Sequence, residues 1–194
     1  MDKSTDLSDV LQKIFVTART QRSFNRKTVS MDRLHQAYDL IKWAPTAYNS
    51  SPLRIAVVTS SDKRETLASH MSPVNQQWVR EAPVALILCA DDEFTTGMKQ
   101  MGSPEHLTTM LHGNGEIAAS GALMQAAYLL IGLRAVGLDV GPMTGADFNA
   151  IDRDFFQDTS WRPFMVVVAG DEPTPQSERP RLNRLDTEDV FSVL

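Results

Sequence analysis

Seventeen consecutive residues, 117–133, carry no charged side chain, and Glu116 and Arg134 bound the run. A segment so apolar has to be covered by something. Its length stands at the bottom of the ~17–25 residues that span a bilayer. It also holds Ser120, Gly121 and Gln125, and nothing else in the chain resembles a span. The run reads as a buried core helix over 116–136, stopped at Gly137, with Arg134 in its last turn against the helix dipole. The rest of the chain is large enough to cover it: 194 residues make one domain, and 42% hydrophobic against 22% charged residues exclude a largely disordered protein.

A net charge of −5 and a pI near 5.3 argue against general binding to nucleic acid or to an anionic membrane. The single cysteine, Cys89, excludes an intrachain disulfide framework and any multi-cysteine metal cluster. The start of the chain carries Asp2, Asp6 and Asp9 and lacks the apolar stretch of a signal peptide. Together these point to a reducing, cytoplasmic setting.

The remaining elements follow from period and punctuation. Val10, Leu11, Ile14 and Phe15 share a helical face over 7–18. Ser30 is placed as an N-cap, with Asp32 in the first turn of a helix whose stripe is Leu34, Ala37, Tyr38 and Ile41 and which stops before Pro45. Residues 54–59 and 162–170 read as strands, and 84–90 (VALILCA) as a central strand covered on both faces. Short helices are expected near 62–69, 76–81 and 147–156, and a helical turn at 187–194. Residues 91–114 contain Gly97, Gly102, Pro104 and Gly113 without a clear period, which suggests an irregular lid or binding loop. Helices and strands alternate irregularly, so the expected class is α+β, a mixed sheet flanked by helices, in a single domain over 1–194 with a C-terminal arm at 171–194.

Three stretches could carry chemistry. Arg19, Arg22, Arg26 and Lys27, with Thr20 and Ser23, form either a solvated helix end or a phosphate site, and spacing alone leaves both open. The loop 45–52 (PTAYNSSP) is either a connection of turn formers or a stiff wall that presents backbone N–H groups and the Asn49 amide. Gly141 and Gly145 would let a flat ring lie close to the backbone. His35, His70, His106 and His112 form no metal-ligand pattern, and Cys89 reads as an inert core thiol. Neither G-x-S-x-G, a Walker A motif nor G-x-G-x-x-G occurs, against hydrolase, P-loop and Rossmann readings.

Taken in order, these segments resemble the FMN-dependent nitroreductase family over nearly the whole chain. Arg19-Thr20-Gln21-Arg22-Ser23-Phe24 is similar to the family's R-R-S-x-R-x-F opening, with Ala18 where the first Arg often stands. Residues 43–52 look like its A-P-S-x-x-N-x-Q-P-W loop, with Ser51 and Leu53 in place of Gln and Trp. Asn75, seven residues before Ala82-Pro83, matches a flavin-contacting asparagine, and the segment through Thr144-Gly145 resembles one whose backbone faces the ring. Arg184-Leu185-Asp186-Thr187-Glu188-Asp189-Val190 looks like the C-terminal R-L-x-x-E-E-V, while Arg181 begins a similar R-L three residues earlier. The departures at Ser51, Leu53 and Arg54-Ile55 look most like the malonic semialdehyde reductase branch.

The resemblance implies an intertwined homodimer with two FMN sites at the interface. Arg22 would serve the ring, and Arg19, Thr20 and Arg181 or Arg184 the phosphate. Pro45, Thr46, Ala47 and Asn49 would face the partner's flavin, Asn75, Thr144 and Gly145 the chain's own, and the long apolar helix would form much of the interface. The implied activity is an NADH- or NADPH-dependent oxidoreductase, reducing malonic semialdehyde to 3-hydroxypropionate in pyrimidine degradation. Arg54 or Lys99 would meet the substrate carboxylate. The rivals are a broad nitroarene or quinone reductase and a flavin-binding protein without useful turnover. FMN brings its own hydride acceptor, which accounts for the missing catalytic triad.

Overall fold

The computed structural model describes residues 7–171 and 180–194. Residues 1–6 of the acidic start and 172–179 of the C-terminal arm lie outside the described residues. Strands β1 (Leu53–Val58), β2 (Val84–Asp91), β3 (Asp139–Met143) and β4 (Trp161–Gly170) form a sheet of order β1-β2-β4-β3. All three ladders are antiparallel. The parallel component among the described residues is one bridge, Thr20 to Val140.

Every residue of β2 is buried, as the unbroken apolar run requires of a central strand. Its side chains divide with period two. Leu86, Leu88 and Ala90 join Leu34, Ala37 and Ile41 of α2 (Met31–Ile41) and Ala122, Ala126, Leu129 and Leu133 of α7 (Gly115–Ala135). On the other face Ala85, Ile87 and Cys89 meet Leu67 and Ala68 of α3 (Ser61–Ser69), Val79 of α4 (Pro73–Glu81) and Ile151 of α8 (Phe148–Phe155). Burying each such large side chain contributes about 1.5–3 kcal/mol. The β2–β4 register skips Phe164 between Leu88 and Cys89, which lets Pro163 sit in an inner strand at a bulge.

Helix α7 begins at Asn114, whose side chain accepts from the Ile117 N–H, and stops at Gly137, with φ +81. At Gly132 a Cβ would stand 2.6 Å from Ile41 and 2.8 Å from the Ala37 carbonyl, so α2 and α7 cross with no room for a methyl group. The uncharged run is only half core. Leu123, Met124 and Tyr128 point outward, giving α7 a second, exposed apolar face.

Three local readings need correction. Residues 91–114 are not irregular: they fold as α5 (Phe94–Gln100) and α6 (Glu105–Leu111) around a small core of Phe94, Met98, Leu111 and Ala118. Each helix is too short for a period to show, and Gly97 sits inside one of them. To the three strands read from sequence the structure adds a fourth, β3, whose Gly141 and Pro142 hide an edge strand from composition. The first helix does not run evenly to residue 18, because α1 (Leu7–Leu11) widens into a π-helical turn, Gln12–Val16.

Candidate functional site

The Arg19–Ser23 segment lies along the edge strand β3. The Gln21 N–H donates to the Val140 carbonyl at 2.9 Å, and Thr20 pairs with Val140. The approach is close because residue 141 is glycine: a Cβ there would stand 2.1 Å from the Gln21 oxygen. The freedom of Gly141 therefore serves the packing of this segment rather than the approach of a flat ring, which corrects the expectation for that position.

Held this way, Arg19, Thr20 and Arg22 line a cavity of about 1010 Å³, at the top of the range for small-molecule and cofactor sites. The C-terminal arm forms its other wall with Arg181 and Arg184. Arg181 donates to the Ala18 carbonyl at 2.8 Å, and Arg19 donates to Pro180 at 3.4 Å, so the two walls are joined. Arg184 folds onto its own backbone at Leu182 and Asn183. Arg22 lies over the Trp78 ring, 4.3 Å from its centroid.

Five arginines (19, 22, 134, 181 and 184) face this space against one carboxylate among the described lining residues, Glu81. Gln21 is buried and its side-chain oxygen has no hydrogen-bond partner among the described residues. The cavity therefore carries strong positive charge, and an orphaned acceptor lies buried in its wall. It suits a polyanionic ligand that also carries hydroxyl donors.

The basic run divides at this point. Lys27 turns away and pairs with Asp171 at 3.7 Å, where Arg33 also binds at 2.6 Å. Those cations hold the Asp171 carboxyl below the usual carboxylate range, Arg33 contributing most through its hydrogen bond.

Two other expected groups of residues stand outside the cavity. The Asn75 amide donates to the Gly145 carbonyl at 3.2 Å, which also accepts from the Ser72 N–H. Thr144 and Gly145 are exposed just beyond β3. Thr144 is four residues along the strand from Val140, about 13 Å at the usual rise.

The loop holding Pro45, Thr46, Ala47 and Asn49 stands at the opposite end of the sheet, where Leu53 pairs with Ala90. Tyr48, Asn49 and Ser51 have φ of 56, 54 and 43, on either side of a right-handed Ser50, and such left-handed residues cost on the order of 1–3 kcal/mol each. Side chains hold it in place. Thr46 Oγ1 accepts from the Ser51 N–H, buried Gln125 accepts from Leu53, and Arg54 donates to the Ser51 carbonyl. Pro45, Ala47 and Asn49 face outward, so this wall does not meet the arginine cavity within one chain.

Arg54 is not an open cation for a substrate carboxylate. Its guanidinium pairs with buried Asp91 at 2.6 Å, and Asp91 also accepts from Ser160 and the Glu93 N–H. Lys99 is exposed on α5. Cys89 is buried in β2, and burial pushes its thiol up to about 12, as an inert core thiol requires. No cluster of metal-ligating side chains exists among the described residues.

Sequence reasoning missed Gln77, Trp78 and Glu81, which bring one face of α4 to the cavity, and Arg134 at the end of α7. The i, i+4 spacing of Gln77 and Glu81 was a usable signal for a shared face. For Arg134 the sequence offers only the role of a partner to the helix dipole.

Comparison with known proteins adds a lineage. Residues 16–73 match the model of the nitroreductase family. A Rhodopseudomonas palustris protein with the provisional name NADH dehydrogenase/NAD(P)H nitroreductase is 36% identical over 188 residues, 95% of each chain. A Streptomyces coelicolor protein of the same provisional name is 36% identical over 186 residues, covering 93% of this chain and 94% of its own. Among solved structures, a nitroreductase family protein from Streptococcus pneumoniae superposes with a TM-score of 0.79 at 20% identity, over 95% of this chain and 98% of its own. A provisionally named nitroreductase from Exiguobacterium sibiricum, solved in complex with FMN, gives 0.75 at 18% identity, over 100% and 99%.

Proposed function

This chain belongs to the nitroreductase family, and from that premise we propose that it is an FMN-dependent oxidoreductase taking electrons from NADH or NADPH. The observation that carries the reading is the arginine-walled cavity. A phosphate dianion fits a space where five arginines oppose one carboxylate. Gln21 Oε1, buried in the cavity wall, would meet a ribityl hydroxyl if its side chain turned toward the ligand. When bound, FMN would supply hydride transfer between the nicotinamide and a second substrate.

The chain's own work is to bind, orient and polarise. Arg19, Thr20, Arg181 and Arg184 would hold the phosphate, and the joined walls would keep the arm closed over it. Arg22, kept in place by the Trp78 ring, would favour negative charge on the pyrimidine edge of the flavin. Asn75 would present the Gly145 backbone at the end of β3. The loop Pro45-Thr46-Ala47-Tyr48-Asn49 would complete the site of a second copy of this chain. A homodimer accounts for its outward face and for the exposed Leu123, Met124 and Tyr128 on α7, and it puts FMN at the interface.

The finer reading is reduction of malonic semialdehyde to 3-hydroxypropionate, resting on Ser51-Pro52-Leu53-Arg54-Ile55. Since Arg54 is engaged by Asp91, recognition of the substrate carboxylate would fall to another cation. The test is to reconstitute the apoprotein with FMN, remove the excess, and measure flavin per chain and molecular mass. Rates with NADH and NADPH then follow for the aldehyde, a nitroarene and a quinone. One flavin per chain in a dimer, with the highest kcat/KM for the aldehyde, is the expected result. Preference for nitroarenes or quinones replaces the finer reading with a broad reductase. Bound flavin without turnover leaves a flavin-binding protein, and no retained flavin overturns the proposal.

A further inference from the structure

Arg134 stands in the last turn of α7, half-buried, on the wall of the arginine cavity. It also lines the adjoining 520 Å³ cavity beside Ala18 and Arg19, so it forms part of the partition between the two spaces. The other arginines of the main cavity have partners. Arg19 and Arg181 tie the arm to the N-terminal segment, Arg184 binds its own backbone, and Arg22 rests on Trp78. Among the described residues no carboxylate oxygen comes within 4.0 Å of the Arg134 guanidinium, and its side chain donates no hydrogen bond. Burial lowers its pKa from the ordinary arginine value, with the more distant Asp139 acting the other way. A guanidinium with five donors that is half withdrawn from water and unpaired is costly to keep. The end of α7 offsets part of that cost, but a helix terminus supplies only a fraction of a charge.

We propose that Arg134 completes the phosphate subsite of the cavity, binding the terminal phosphate of FMN as a charge-assisted partner alongside Arg19 and Arg181. The assignment rests on the FMN reading above. Its chemistry, a guanidinium fork on a phosphate dianion, would equally suit the phosphates of the nicotinamide donor, and the test separates the two.

Apoprotein is titrated with FMN and with riboflavin, which lacks the phosphate, following flavin fluorescence for wild type, Arg134→Gln and Arg134→Lys. The melting temperature of each apoprotein monitors the fold. Loss of one charge-assisted contact should weaken FMN binding by Arg134→Gln about tenfold or more. Riboflavin affinity should stay at the wild-type value. Arg134→Lys, which keeps the charge without the fork, should recover part of the loss and serves if the glutamine variant does not fold. An unchanged ratio of FMN to riboflavin affinity overturns the assignment, as does an equal loss of both flavins. Unchanged FMN affinity with a raised KM for NADPH overturns it in favour of the nicotinamide donor. Failure of the wild type to bind FMN would sink the functional reading itself, a result distinct from failure of the variants alone.

Discussion

Replacing Gly141 by alanine probes the joint between the sheet and the candidate phosphate wall. The backbone at Gly141 is not left-handed, so the consequence of Gly141→Ala is steric. The new Cβ would stand 2.1 Å from the Gln21 carbonyl oxygen and 2.9 Å from the Val168 side chain. Reaching a tolerable 3.0 Å requires the Gln21 carbonyl to retreat by 0.9 Å, the difference between the two distances. Such a movement strains the 2.9 Å bond from the Gln21 N–H to Val140 and carries Arg19, Thr20 and Arg22 with it. Overpacking costs about 1–3 kcal/mol, and loss of the hydrogen bond adds about 1 kcal/mol. The expected destabilisation is therefore about 2–4 kcal/mol, measured by urea unfolding of the apoprotein. Displacement of the phosphate wall should also weaken FMN binding at least tenfold, or about 1.4 kcal/mol, read by flavin fluorescence. Wild-type stability together with wild-type FMN affinity would refute the argument that Gly141 holds this segment in place.

Other perturbations test separate parts of the structure. Arg54→Met leaves Asp91 buried without its cation and should cost about 3–5 kcal/mol in urea unfolding. Removing Asp91 as well should restore part of that, and a coupling energy near zero in the double-mutant cycle would contradict the clamp. Cys89 should resist a thiol reagent at pH 8 in the native protein and react fully in denaturant, since burial pushes its thiol up to about 12. Rapid native reaction would contradict its placement in β2. The depressed carboxyl of Asp171 contributes stability above its unfolded value of about 3.9, and that stability is lost as pH falls through the lower folded value. Asp171→Asn should accordingly flatten stability against pH on the acid side below pH 4, and an unchanged acid limb would show that the Arg33 pair contributes nothing.

Much of the architecture was legible because it follows from period and capping. VALILCA reads as a strand covered on both faces, and it is the buried centre of the sheet. Ser30 caps α2 through the Arg33 N–H, and Leu34, Ala37 and Ile41 face the core. Where the reading failed, local composition pointed away from the tertiary context. Gly141 and Pro142 look like a turn, yet an edge strand tolerates a residue without an N–H and here needs one without a Cβ. Helices α5 and α6 each span seven residues, fewer than a hydrophobic period needs to declare itself, and their small core forms only when they meet Ala118 of α7.

The candidate site divides in the same way. Arg19, Thr20, Arg22, Arg181 and Arg184 were nameable from motif and now share one cavity, although 162 residues separate Arg19 from Arg181 in the chain. Sequence presents Arg54 as a free cation because it does not reveal that Asp91, two residues past the register partner Cys89 on β2, pairs with its guanidinium. Sequence alone does not mark Arg134 as a site residue, because a basic residue in a last helical turn already has a sufficient local explanation.

The central claim is that the arginine-walled cavity holds FMN in a form that NAD(P)H reduces. An anaerobic absorbance titration of the FMN-reconstituted protein with NADH, and separately with NADPH, tests it most directly. The flavin band should bleach with one equivalent of at least one nucleotide per flavin. A flavin band that neither nucleotide diminishes, or a protein that leaves the reconstitution colourless, would contradict it.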